Sequence, residues 1–381
     1  MRHLIASVAL TLLFASPALA SLDIGPGTTG VSIGNSPEWT GLRLNFADNG
    51  IDRVRGLNFT VWRANGDGPG EGEISGVGLG VWGPKAGRLR GLHLGIAEVI
   101  ASHDVSGVGV SLIGVGSGTT SIFGGDEYGR GRMRGVFLGG LGVAAGTDIK
   151  GIGFGGLGIG SGGNMTGIML GGLGAGAGED ITGLAVGGLG IGAGGDLTGI
   201  ALGGIGAGVG GHARGMIAGL IGAGVGESFS GIGLAGIGMG IGEEAKGLLV
   251  SGIGAGVGES FTGVALSGIG MGVGEHFRGI AISGIGMGVG ESLTGIGIGG
   301  IGVGAPETRA LTAALITTRG EYMTGVTVSA YNKWDYRMEG LAIGLLNITD
   351  ELKGVQLGLL NIAYSNPGWR RILPFVNWGN Q

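Results

Sequence analysis

Cysteine is absent from this 381-residue chain. That excludes disulfides, thiolate metal sites and a lipid-modified N-terminal cysteine. Charged residues are scarce at 13%, and the net charge of -5 leaves no basic excess to hold a nucleic acid. Aromatic residues amount to only 6%, so the paired aromatic girdles of an outer-membrane barrel are missing. The glycine-rich repeats contain no uninterrupted apolar run of the ~18 residues that a spanning helix needs. Past residue 20, histidine occurs only at His93, His103, His212 and His276. These lie in different repeats with no H-x-x-x-H spacing, which argues against a transition-metal site.

What the chain has instead is glycine, 100 residues of it, together with 43% hydrophobic residues and a mean hydropathy of +0.45. Disordered glycine-rich linkers are polar, so this composition points to a folded protein with apolar surface to bury. Residues 1–20, "MRHLIASVALTLLFASPALA", read as a secretory leader. Arg2 and His3 begin it, Leu4 to Ala15 form the apolar region, and Ala18-Leu19-Ala20 is the cleavage signal.

Ten consecutive 16-residue units run from Gly135 to Thr294. Each opens with glycine, carries apolar residues at its second and fourth places, and has Leu or Ile at its seventh. Glycine is invariant at the eighth and twelfth places. Looser units flank this array. The expected organisation is a leader at 1–20, an N-terminal cap at 21–40, irregular repeats at 41–134 and regular repeats at 135–310. Divergent repeats follow at 311–363, with a C-terminal cap at 364–381.

Helices would space apolar residues by three and four, and glycine every second residue would weaken them by about 1 kcal/mol per site. Alternation by two predicts strands. In the unit Gly263–Arg278 the apolar phase changes across Ser267-Gly268, which places a bend there. Two short strands then form one flattened coil. Val264, Leu266, Ile269, Met271, Val273 and Phe277 point to its centre, while Gly270 and Gly272 face outward. Gly268 serves the bend, and Gly274 serves the return turn, where a positive φ is expected. The predicted fold is all-β, a two-sided parallel β-solenoid with 16-residue coils. The alternative is an outer-membrane antiparallel β-barrel, with one strand per unit. Single units match one another here, whereas alternating strand directions would favour a period of two units.

"GLAIGLLNITDELK" and "GVQLGLLNIA", with "RILPFVNWG" after them, resemble a family of bacterial surface-repeat proteins. Members carry tandem units of the form G-[VIL]-Q-[VIL]-G-L-[VIL]-N-[IV]. The match is specific over 340–379 and general over 135–310, where glycine replaces the residues equivalent to Asn347 and Asn361. The resemblance implies an exported or cell-surface location and no chemistry.

Chemical motifs are weak. G-x-G-x-x-G matches, such as that at Gly151, follow from the repeat and lack a βαβ setting. "GVSIG" at Gly30–Gly34 has no triad partners. No metal, cofactor or catalytic residue is expected. Glu227, Glu243, Glu259, Glu275 and Glu291 should form a carboxylate column along one edge. The segments 63–75, 119–134 and 331–339 read as insertions that all emerge from one edge. Their candidates for partner contact are Asp126, Tyr128, Arg130, Arg132, Trp334, Tyr336 and Arg337. The expected partners are a cell-envelope component, or a second copy through the glycine stripes, and no nucleic acid. The expected function is a non-enzymatic exported repeat protein with a structural or adhesive role at the bacterial cell surface. The alternative is an outer-membrane barrel or pore.

Overall fold

A computed structural model describes residues 21–64, 71–118 and 129–379. The fold is a parallel β-solenoid of about 19 turns, with coils of roughly 16 residues. Two compact units divide between Leu189 and Gly190. Within each, neighbouring strands pair in parallel. Among the described residues antiparallel pairing occurs only where Leu22–Ile24 meets Thr29–Ile33 and where Ile372–Trp378 meets Leu346–Ala363. Parallel neighbours overturn the barrel alternative, because an up-and-down barrel requires antiparallel ones.

Each regular coil has one longer and one shorter strand. Ser260–Ser267 pairs with His276–Ser283, and Gly270–Val273 pairs with Gly286–Val289. Equivalent residues of successive coils stand opposite each other: Gly263↔Gly279, Val264↔Ile280, Met271↔Met287. The bend lies at Gly268-Ile269 and the return at Gly274-Glu275. Phe277 belongs to the next strand rather than to the turn, and its ring stacks on Phe261 with centroids 5.4 Å apart.

The facing of the side chains differs from the sequence expectation in half of the coil. Met271, Val273 and Phe277 are buried as expected, and Gly272 is exposed. Val264, Leu266 and Ile269 are instead 37%, 37% and 45% exposed. The inward positions of the longer strand are Ala265 and Ser267. The reason is space. Opposed strands lie so close that the third and ninth places of a coil share one volume. A Cβ added at Gly153 would come within 2.2 Å of Ile159 Cδ1, and one at Gly233 within 2.2 Å of Met239 Cε. Small and large residues therefore alternate across the core: Gly153 with Ile159, Met169 with Ala175, Leu249 with Ala255, Ala265 with Met271. Interiors packed to crystal density admit no second large side chain at such a site.

Glycine meets two different demands. The first place of the unit has positive φ, for example +142° at Gly263 and +138° at Gly279. A Cβ on Gly279 would lie 1.9 Å from the Gly263 carbonyl oxygen. Positive φ falls there and not at Gly268 or Gly274. Those two are required by close approach instead, since a Cβ on either would sit within 2 Å of a carbonyl oxygen of the preceding coil.

The two units have different polar interiors. In the first, Arg43 is fully buried and donates to Asp48 Oδ1 at 2.9 Å, to Asn58 Oδ1 at 2.8 Å and to Asn35 Oδ1 at 2.7 Å. Such a pair persists in the interior only because further hydrogen bonds complete it. In the second, Asn332, Asn347 and Asn361 form an amide ladder. Each side chain donates to the next at 2.6 and 2.7 Å.

Candidate functional site

The residues selected from the sequence do not assemble into one site. Asp126 and Tyr128 lie outside the described residues. Arg130 is exposed, and exposed Arg132 pairs with Asp104 at 3.3 Å. The segment 331–339 is not an insertion. It lies within strand Tyr331–Ile343, paired on both sides, with a register shift between Trp334 and Arg337. Trp334 is 2% exposed and packs among Met323, Met338, Ala342, Leu352 and Ala363. Its alternation places it inside, so its indole is withdrawn from any partner. Tyr336, in the bulge, is exposed and stacks on Tyr322 at 5.3 Å, while Arg337 binds Glu351 at 2.7 Å. Beside them lies a shallow cavity of about 200 Å³ lined by Glu307, Arg309, Tyr322, Thr324, Arg337 and Glu339. Its opposite charges offset one another.

The carboxylate column stands in register. Glu243, Glu259, Glu275 and Glu291 each donate their backbone N–H to the carbonyl of the preceding glutamate, at 2.8–3.1 Å. Two histidines lie beside it. His212 approaches Glu227 at 2.9 Å, and His276 approaches Glu291 at 3.5 Å. Among the described residues no three His, Asp or Glu side chains converge as metal ligands.

Among the described residues His93 is the one strongly perturbed titratable group. Burial pushes its pKa down to about 4, opposed in part by the backbone of Arg90. It lies in the interior of the first unit, closed off from solvent, so it serves packing and has no route to a reactant.

The feature that the sequence reading missed is a surface. In Gly190–Gln381 the second and fourth places of the 16-residue repeat, both in the longer strand, face solvent. They carry Ile200, Ile232, Val264, Ile280 and Leu311, then Leu266, Ile282 and Ile298, all exposed. At the bend, Ile205, Ile221, Ile237, Ile253, Ile269, Ile285, Ile301 and Ile316 form an unbroken exposed column. At about 4.8 Å per coil and 3.3 Å per residue, this apolar face covers on the order of 500 Å² in the regular coils alone. Monomeric proteins seldom expose so large a contiguous apolar patch without a use for it. The opposite sheet is different. Gly208, Gly224, Gly240, Gly256, Gly272 and Gly288 line it, and a Cβ on any of them would meet nothing within 4 Å. The signal for the apolar face was present in the sequence. The ninth and eleventh places are also apolar, and both sets of strands cannot turn bulky residues into one thin core.

Comparison with protein-family models, with curated proteins and with solved structures gives no match to this chain.

Proposed function

We propose that this chain is a non-enzymatic exported repeat protein with a structural or adhesive role at the bacterial cell surface. The single observation that carries the reading is the exposed apolar face, whose bend isoleucine recurs coil after coil. A repeated surface of one chemistry suits contact with something extended, because each coil adds an equal increment of contact. The leader-like layout of residues 1–20 and the resemblance of 340–379 to surface-repeat proteins support the proposed location. The solenoid is compatible with such a role.

The test is expression of the full chain in a Gram-negative host, followed by fractionation, N-terminal sequencing and protease treatment of intact cells. The expected product begins at Ser21, leaves the cytoplasm and is trimmed from outside. An uncleaved chain retained in the cytoplasm would overturn the location and with it the role.

A further inference from the structure

The apolar face of Gly190–Gln381 is bordered by a charged row. The sixteenth place of each unit lies on the same outward side of the longer strand, two residues before the first apolar column. Reading along the stack, it holds Thr198, Arg214, Ser230, Lys246, Thr262, Arg278, Thr294 and Arg309. A cation stands in every second coil and a hydroxyl in each coil between. Arg214, Lys246, Arg278 and Arg309 are all exposed. Lys246 reaches Glu244 at 3.1 Å, whereas Arg214, Arg278 and Arg309 have no ion-pair partner among the described residues. No acidic residue occupies this row, or the two apolar columns beside it, between residues 198 and 313. The column glutamates lie beyond it on the return turn, while Glu244 and Glu307 stand two residues before Lys246 and Arg309.

From this pattern we propose that the face seats on an anionic phospholipid bilayer, with the isoleucines in the headgroup–acyl boundary and the basic row against lipid phosphates. The proposal rests on the reading of the apolar face as the working surface and names its partner. Apolar columns beside a basic row, on one flat side, are the arrangement by which amphipathic segments lie in a membrane interface. Successive cations are two coils, roughly 10 Å, apart. That is about one Debye length at 0.1 M salt, so they repel one another weakly and each can engage its own headgroup. A second copy of the chain suits the face less well. Stacking two such faces sets the basic row against its counterpart or against apolar columns, and neither neutralises it. A lipid surface neutralises the row and covers the isoleucines together.

The test uses purified full chain after leader removal, with sedimentation of vesicles of phosphatidylcholine alone or mixed with phosphatidylglycerol. Binding is expected with the mixed vesicles only, weakening as salt is raised. The triple variant Arg214→Gln/Lys246→Gln/Arg278→Gln should bind about a hundredfold more weakly, at roughly 1 kcal/mol per charge removed. A second variant, Ile237→Ser/Ile253→Ser/Ile269→Ser, should also lose binding. All six side chains are exposed, so both variants should keep the parent's circular dichroism and melting. Equal binding to neutral vesicles, no binding, or full binding by the charge variant overturns the proposal. So does a parent dimer that the isoleucine variant converts to monomer, which would make a second copy the occupant. These outcomes are independent of export, so a failure here leaves the fractionation result standing.

Discussion

Replacing Ala265 by Leu should destabilise the protein, and replacing Met271 by Ala as well should restore it. Ala265 is 1% exposed, and Met271, also buried, shares its volume across the coil. Leucine at 265 adds three carbon atoms opposite the buried Met271 side chain, and such overpacking costs about 1–3 kcal/mol. Met271→Ala alone leaves a cavity and costs about 2–5 kcal/mol. Together the two changes reproduce the preceding coil, where Leu249 stands with Ala255, both buried. The double variant should fall within about 1 kcal/mol of the parent. The coupling energy is then roughly 2 kcal/mol or more, far above the few tenths seen for independent sites. Urea denaturation followed by circular dichroism on the parent, both single variants and the double variant measures it. Additive effects would mean that the third and ninth places do not share one space, and the facing assigned to the coil would be wrong.

The bend residue offers a complementary test: Ile269→Asp should cost under about 1 kcal/mol because the site is exposed, whereas Met271→Asp buries an unpaired carboxylate and should prevent cooperative folding. Equal shifts in thermal melting would contradict this. Gly279→Ala should cost roughly 3 kcal/mol through its positive φ and carbonyl clash, whereas Gly272→Ala should be nearly neutral; two melting curves decide it. His93 has a folded pKa of about 4, below its ordinary 6.5. Above pH 6.5 both states are neutral and the effect is nil, while from pH 6.5 down to 4 only the unfolded chain takes up the proton. Stability should therefore drop by roughly 3 kcal/mol over that window, and His93→Gln should flatten this part of the melting-temperature profile. A profile unchanged by the substitution would show that His93 is not the group responsible.

Much of the architecture was legible because the units are nearly identical. A 16-residue period with matching single units implies that equivalent residues stack, and the observed register aligns Gly263 with Gly279 and Val264 with Ile280. The inward place of Phe277 was legible too, from its apolar recurrence in Phe261 and Leu293. The candidate contacts were less so. Trp334 looked like part of a polar insertion because "YNKWDYRME" is rich in charge, but strand alternation with a two-residue bulge turns its indole inward. Asn347 and Asn361 appeared only as a departure from glycine, and Asn332 was not singled out. Their amide-to-amide bonds exist because stacking repeats one side chain at hydrogen-bonding distance.

The sequence by itself determined the coil length, the strand character and the in-register parallel stacking, since a repeat can satisfy its backbone by pairing with its own copy. It left open which side of each strand is inside. Glycine has no side chain to declare a face, and apolar residues occur in both phases of the unit. Only the tertiary structure decided this, through volume. Two strands packed back to back leave room for one large side chain between the third and ninth places, so Ala265 faces Met271. The bulkier Val264, Leu266 and Ile269 are turned to the surface, where they form the apolar face.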